Sequence, residues 1–433
     1  MKTQLLYASG AVEVTVPDGA TVYSSSYPRP PAPPNDIVME AIRNPIGSQA
    51  LGTMLKKRRP GDVVIVVSDI TRPIPYARFL KAMIEEIVSA GVPREEILIL
   101  IGTGTHRPSS AAERRGMFGE EICSSYRILD HKADDDSELV ELEGKSWSGS
   151  RIKLNRHLVR AGFRIITGLV EPHFMAGFSG GRKAICPGLV SMEMLRSFHG
   201  YEFLANPLAQ NGQLDDNPCH LEALSVARST GVDFTLNIVL NQKRQIVRTF
   251  AGELDASHRA ACDSVRTYAC PKVEFEHDVV LTSCGGYPLD TTFYQCVKGM
   301  VSCLPAVKDG GAVISLGSCS EGVGSPDYRA MMFEYSGRWR EFLNHIRANP
   351  EVRKDQWELQ MQARALEKVG DGNLYFATEG LATDEVNKLS MRAVRVRDCG
   401  VRTAVQELLD RLVGKETSLA VIPEGPYCTP IGG

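Results

Sequence analysis

Apolar runs, each followed by a cluster of polar and glycine residues, set the rhythm of the first half of the chain. The runs are Asp62–Val67 (DVVIVV), Ile97–Ile101 (ILILI) and Gly162–Thr167 (GFRIIT). Little of their length alternates polar with apolar, which predicts parallel strands buried on both faces. Helical periods follow over Tyr76–Ser89 and, capped by Ser109, to about Met117. The runs end on SDITRP (68–73), GTGTHRP (102–108) and GLVEPHFMAGFSGGRKAICPG (168–188). In an open parallel sheet, ligands bind at the carboxyl ends of the strands. Asp69, Arg72, His106, His173 and Lys183 are therefore expected to converge, although they are far apart in sequence.

Weaker patterns fill in the rest. Residues 1–25 alternate and predict one or two strands, and the proline-rich Tyr27–Pro34 predicts an extended connector. Helices are expected over Asp36–Arg43, Met192–Leu204 (carrying His199) and Leu254–Tyr268. Leu139–Glu143 and Ile152–Leu154 read as short strands. Asn206–Pro218 reads as a polar loop, and Phe234–Leu240 with Gln245–Phe250 as a hairpin. A second α/β unit opens at Asp278–Thr282. It continues with a helix bearing Tyr294, Gln295 and Lys298, then a strand at Ala312–Leu316. Long helices are expected over Asp327–Asn349 and Lys354–Val369, and short strands over Asn373–Ala377, Ala393–Arg397 and Leu419–Ile422. A chain of 433 residues exceeds one compact core. The fold class expected is α/β, with two α/β domains and mainly parallel sheets. Their bounds are 1–271 and 275–414, with the tail from about 415 to 433 packing back on the first.

Composition narrows the function classes. Net charge is −3, which gives no electrostatic case for nucleic acid. No run of about 18 apolar residues exists, so no membrane span is expected. The N-terminus lacks a sustained apolar region and does not read as a signal peptide. Eleven cysteines lie scattered without a CxxC pair, which fits reduced thiols and a cytoplasmic protein.

The 168–188 stretch carries the densest chemistry. Pro172 keeps Glu171 extended and sets His173 just past the strand end. Gly177, Gly180 and Gly181, with Arg182 and Lys183 behind them, read as an anion cradle or, more blandly, as a glycine-rich turn with solvated charges. The stretch is not a Walker loop. Arg182 stands where a glycine should precede the lysine, and Ala184 replaces the Ser/Thr that would hold Mg²⁺. His106 and His173 both follow strand ends beside glycine, and histidine titrates near neutrality, so they form a candidate acid/base pair. Two such groups on opposite sides of one carbon could exchange a proton from either face, as a racemase or epimerase requires. His131, His220, His258, His277 and His345 read as structural. His199 reads as a surface histidine or a metal ligand. There is no HxH or HExxH motif, so any metal would need most of its ligands from a cofactor. Arg72 and Lys298 suit a carboxylate, or a solvated surface. Trp357 reads by default as core.

Taken together, SDITRP, GTGTHRP, EPHFMAGFSGGRKAICPG (171–188), His199 and YQCVKGM (294–300) resemble the nickel-dependent lactate racemase family over most of the chain. The resemblance implies two α/β domains with an active-site cleft between them. It implies a nickel pincer nucleotide, a pyridinium-3-thioamide-5-thiocarboxylic acid mononucleotide, tethered covalently through Lys183 in the family's pattern. By the same resemblance His199 is the protein ligand to nickel, and His106 and His173 are the acid/base pair. Asp69, Ile70, Thr71 and Arg72 contact cofactor and substrate. Tyr294, Gln295 and Lys298 hold the substrate carboxylate, with Trp357 as the active-site tryptophan. The implied reaction racemises a small 2-hydroxy acid by proton-coupled hydride transfer through a 2-keto acid. Cofactor maturation enzymes are the implied partners, and a homo-oligomer is compatible with the sequence. Two other classes stay open: a metal-independent hydrolase or dehydratase using the histidine pair and Lys183, and a non-catalytic nucleotide-binding protein.

Overall fold

Two six-stranded sheets organise the chain in the computed structural model, which describes residues 1–58, 61–349, 351–396 and 399–432. The first sheet has the order Ile246–Gly252, Phe234–Leu240, Phe163–Leu169, Val63–Ser68, Ile97–Gly102, Arg127–Asp130. It is parallel except at its Ile246–Gly252 edge. The second has the order Arg392–Ala393, Leu374–Ala377, Val307–Leu316, His277–Ser283, Leu419–Ile422, Thr21–Val22, and is parallel throughout. The protein is therefore α/β, as the apolar runs predict. Val63–Val67 and Ile97–Ile101 are buried along their whole length, which is why those runs contain no polar alternation.

Strand order positions the site. Val63–Ser68 lies between Ile97–Gly102 and Phe163–Leu169, so the three loops that leave these strands are neighbours. Tyr76, fully buried, accepts a hydrogen bond from Ser68 N (2.8 Å) and pairs with Thr167 Oγ1 (2.8 Å), which pins two of the three strand ends together.

Several sequence expectations need correction. Residues 1–22, expected in the first domain, belong to the second sheet's unit. Lys2–Tyr7 and Gly10–Thr15 form a hairpin whose Leu5, Val12 and Val14 share a core with Leu281, Ile314 and Leu408, and Thr21–Val22 is an edge strand. Alternation predicts a strand but does not say which sheet will cover its apolar face. The tail is divided. Leu419–Ile422 lies inside the second sheet, whereas Ile431 packs with Phe178 and Val265 of the first unit. The helix expected over Met192–Leu204 breaks at His199, which leaves helical geometry at φ −102°, ψ 18°, and resumes at Tyr201–Ala205. The helix expected over Asp327–Asn349 splits into Pro326–Glu334 and Trp339–Ala348 around Gly337, whose φ of +67° ends helical geometry. Only Arg392–Ala393 forms of the strand expected over Ala393–Arg397, and Arg397 lies outside the described residues. Helices Pro218–Ser229 and Gly400–Leu412 were not expected.

The helix Gln356–Val369 is the main contact between the two units. Every residue from Asp355 to Ala363 is buried, including Gln356, Glu358, Gln360 and Gln362. One apolar cluster runs from Val66 and Ile166 through Phe198 and Leu204 to Phe293, Trp357 and Leu366.

Candidate active site

The loop after Val63–Ser68 turns on Asp69. Its buried carboxylate accepts from Thr71 Oγ1 (2.6 Å) and, through Oδ2, from His106 Nδ1 (2.6 Å). Burial pushes the Asp69 carboxyl up, but the His106 and Thr71 hydrogen bonds and the Arg72 charge outweigh it and hold the group below its ordinary value. A carboxylate only accepts, so His106 Nδ1 carries a proton and, in the neutral ring, Nε2 keeps a free lone pair. The His106 side chain is half exposed, which leaves that lone pair accessible. Arg72 donates from Nη1 to Glu171 Oε1 at 2.6 Å and so ties the first loop to the third.

His173 is held in the opposite sense. Its Nδ1 accepts from the backbone amides of Met175 (3.2 Å) and Ala176 (3.3 Å), so in the neutral ring the proton sits on Nε2. Burial, then the positive charges of Lys183, Arg72, Lys298 and Arg182, drive its pKa well below 6.5. Among these charges, Lys298 comes from the second unit.

The glycine-rich loop does not form the anion cradle expected of it. A Cβ on Gly177 would lie 2.0 Å from Gln213 O, and one on Gly181 2.6 Å from His258 Cδ2. These glycines allow close packing inside the protein. The loop amides are used internally: Gly181 N donates to Asn237 Oδ1, Ser179 N to Glu171 O and Lys183 N to Gly180 O. The two basic residues also part company. Arg182 turns into the core, where it donates to Ala176 O (2.8 Å) and its Nη1 lies 2.9 Å from His258 Nε2. Lys183 faces the cleft, with Nζ 5.6 Å from the centre of the Phe198 ring. Burial, then the Arg182 and Arg72 charges, lower its pKa to about 7. A large share of this lysine is therefore the nucleophilic free amine at neutral pH.

His199 caps the Met192–Phe198 helix. A carbonyl only accepts, so His199 Nδ1–H donates to Leu195 O (2.9 Å) and Nε2 is left with its lone pair. Burial lowers its pKa to about 3, the carbonyl bond opposing and the Lys183 charge reinforcing that shift. A neutral imidazole, oriented through its other nitrogen, is the form that ligates a metal. Trp357 of the second unit packs on this ring, with centroids 4.5 Å apart and planes 31° apart. Its Nε1 donates to Tyr294 Oη at 2.9 Å. Lys298 Nζ donates to Gln295 Oε1 at 2.5 Å.

Contacts and charges thus link Asp69, Thr71, Arg72, His106, His173, Lys183 and His199 with Tyr294, Lys298 and Trp357. Gln295 joins through Lys298. Ile70 stands half exposed in the same loop. His131, by contrast, is buried between Val190 O and Asn155 and plays no part in this cleft.

Sequence reasoning missed the turn around Trp357. Asp355 adopts φ +67°, is buried, and accepts from Ser325 Oγ at 2.9 Å. Glu358 is buried with Oε2 unpartnered among the described residues. Burial raises its carboxyl and lowers Lys298, and each charge partly offsets the other's shift. The available signal was QWELQMQ, where polar residues at every second position fall on two opposite faces of a helix that has few full charges.

Among the described residues, no three His, Cys, Asp or Glu side chains cluster as a metal site. A metal beside His199 would need its other ligands from a bound group. The free His199 Nε2 and the Lys183 amine, whose pKa burial lowers to about 7, fit such a group.

Two α/β sheets, with polar residues at the strand ends of the first in contact with residues of the second unit, define the class as a two-unit α/β protein. Comparison with known proteins identifies which. The lactate racemase N-terminal domain matches residues 7–212, and the lactate racemase C-terminal domain matches residues 273–427. The lactate racemase of Thermoanaerobacterium thermosaccharolyticum is 34% identical over 392 residues, 90% of this chain and 89% of that one. The lactate racemase of Lactiplantibacillus plantarum is 31% identical over 393 residues, with the same coverage. The solved structure of the lactate racemase apoprotein from T. thermosaccharolyticum superposes with a TM-score of 0.91 at 30% identity, covering 100% of both chains. The chain belongs to the lactate racemase family.

Proposed function

We propose that the protein is a racemase or epimerase of a small 2-hydroxy acid, built as two domains that meet at this cleft. The observation that carries the reading is the complementary state of the two histidines. His106, oriented by Asp69, presents a bare Nε2 that can accept a proton. His173, oriented by two backbone amides, presents an Nε2–H that can donate one. Inversion through two bases needs one neutral imidazole and one imidazolium, so His173 acts as the acid only after its Nδ1 also takes a proton.

The proposed cofactor is a nickel pincer nucleotide, held by His199 Nε2 and tethered through the Lys183 amine. When bound, such a group would supply a hydride acceptor and donor for the substrate α-carbon. The chain's own residues do the rest. Lys298 and Gln295, with Tyr294 beside them, hold the substrate carboxylate, and Arg72, braced by Glu171, sits beside the hydroxyl. For one enantiomer His106 Nε2 removes the hydroxyl proton. After the 2-keto acid reorients, His173 in its imidazolium form supplies from Nε2 the proton that completes the other enantiomer, and returns to a neutral ring with its remaining proton on Nδ1. For the reverse direction the roles exchange. The Asp69 carboxylate stabilises the imidazolium of His106. Burial among Lys183, Arg72 and Lys298 disfavours a charged His173, so it returns its proton readily. The proposed partners are the enzymes that mature the cofactor.

The test is to co-express the chain with cofactor-maturation enzymes and follow the optical rotation of pure enantiomers of 2-hydroxy acids. Racemisation accompanied by nickel that is lost in His199→Ala supports the reading. Equal activity in protein made without nickel overturns it in favour of the metal-independent alternative.

A further inference from the structure

The helix Gln356–Val369 carries a second set of contacts that the chemistry above does not use. Trp357, Gln360 and Arg364 are spaced by three and four residues and so share one face. All three reach into the stretch that follows His199. Trp357 packs on His199 itself. Gln360 Nε2 donates to Tyr201 O at 3.1 Å. Arg364 donates from Nη1 to Ala209 O (2.7 Å) and from Nη2 to Asn206 O (2.6 Å) and Leu204 O.

The chemistry of the acceptors explains the arrangement. The helix Tyr201–Ala205 is barely more than one turn, and its last carbonyls have no intrahelical donor. Left buried without a donor, each would cost free energy. A guanidinium has five donors spread over a fixed fork and can serve carbonyls that lie apart, whereas an ammonium's three donors sit on one nitrogen. Arg364 has no carboxylate within ion-pairing distance among the described residues, so carbonyls are its hydrogen-bond partners here. The first unit therefore cannot complete the stretch after His199 by itself.

We infer that Arg364 and Gln360 are positioning residues for the His199 imidazole. They act from the second unit by fixing residues 200–209, so that docking of the second unit and orientation of His199 are one event. The inference rests on the reading of His199 as the metal-facing histidine. What it adds is where that orientation comes from. The Leu195 carbonyl fixes the tautomer, and the opposite side of the cleft fixes the backbone.

The experiment compares Arg364→Met, Arg364→Lys and Gln360→Leu with the parent, each matured with cofactor. Hydrogen exchange is measured by peptide alongside nickel content and steady-state kinetics. In Arg364→Met, amides of 200–209 should exchange about tenfold faster, the loss expected for a hydrogen bond to a charged group. Exchange in Leu254–Ala269 should stay as in the parent. Nickel content and kcat should fall together, with KM nearly unchanged because Lys298 and Gln295 are untouched. Arg364→Lys should recover part of the protection, since one ammonium can serve only some of the three carbonyls. Unchanged exchange at 200–209 overturns the inference, as does faster exchange along the whole chain, which would make Arg364 a general strut. If Arg364→Met does not fold, the same readings on Arg364→Lys and Gln360→Leu decide. Faster local exchange in Arg364→Met with full nickel retention in His199→Ala separates the two ideas: the positioning stands and the ligand role of His199 fails.

Discussion

Trp357 joins the two units at the cleft. Its ring packs 4.5 Å from that of His199, and its indole N–H donates to Tyr294 Oη at 2.9 Å. One side chain thus touches the proposed metal ligand and a proposed substrate-binding residue. Trp357→Phe keeps an aromatic face on His199 but removes the donor to Tyr294. Nickel content should persist while KM for the hydroxy acid rises severalfold, about 1 kcal/mol for one lost hydrogen bond. Trp357→Ala should lower stability by about 3–5 kcal/mol, because it also empties a buried volume. Metal analysis, kinetics and denaturant titration check these outcomes.

The two histidines should separate in single turnovers. His106→Ala and His173→Ala should both abolish racemisation, with each retaining a half-reaction toward one enantiomer only. Asp69→Asn leaves the His106 ring without its carboxylate acceptor, so it should mimic His106→Ala, with kcat lower by about 10²–10⁴-fold. Trapping the keto acid from each pure enantiomer reads the preference. Identical behaviour toward both enantiomers would mean that one histidine only positions the other.

Substrate binding should weaken on the alkaline side. Burial, then the Arg72 charge, lower the Lys298 pKa from 10.5. Its ammonium is therefore lost earlier than in an ordinary lysine as pH rises from 7 toward 10, and KM should climb over that span. In Lys298→Ala, KM should be higher at pH 7 and should lose this dependence, while nickel content stays as in the parent. Initial rates across pH, with metal analysis, test this.

Acid should destabilise the fold through histidines buried in the neutral form. Burial lowers His131 to about 4 and His220 to about 3. Above about pH 6.5 both are neutral folded or unfolded, and their contribution is fully present. Below that pH the unfolded chain takes up protons that the native one refuses, so stability falls as pH drops toward the native values. The slope is about 1.4 kcal/mol per pH unit for each histidine. Neither ring nitrogen of His220 has a hydrogen-bond partner among the described residues. His220→Phe should therefore flatten the slope and leave stability at pH 7.5 near that of the parent. Urea midpoints at pH 7.5, 6 and 5 measure it.

The cleft's chemistry was legible in the sequence wherever it depended on strand ends. Asp69, His106 and His173 each follow a buried apolar run, and an open parallel sheet brings such ends together whatever the rest of the chain does. The departures from helix and loop patterns follow from packing. His199 reads as mid-helix from periodicity, but its ring bonds Leu195 O and the helix stops there. Arg182 and Lys183 read alike as basic neighbours. Packing against His258 takes one into the core and leaves the other in the cleft.

What the sequence determined by itself is the alternation of buried strands with polar strand ends, and hence an α/β chain with its chemistry at the carboxyl edge of the sheet. The reason is local: β-branched runs without polar alternation fit only a strand covered on both faces. What only the tertiary structure decided is which distant segments complete each other. The first 22 residues join the second sheet because their apolar side chains complete the core of Leu281 and Ile314. Gln360 and Arg364 of Gln356–Val369 reach into the first unit, where the carbonyls after His199 lack donors of their own. Such pairings follow from satisfying buried polar groups and covering apolar faces across the whole molecule, and no local pattern in the chain encodes them.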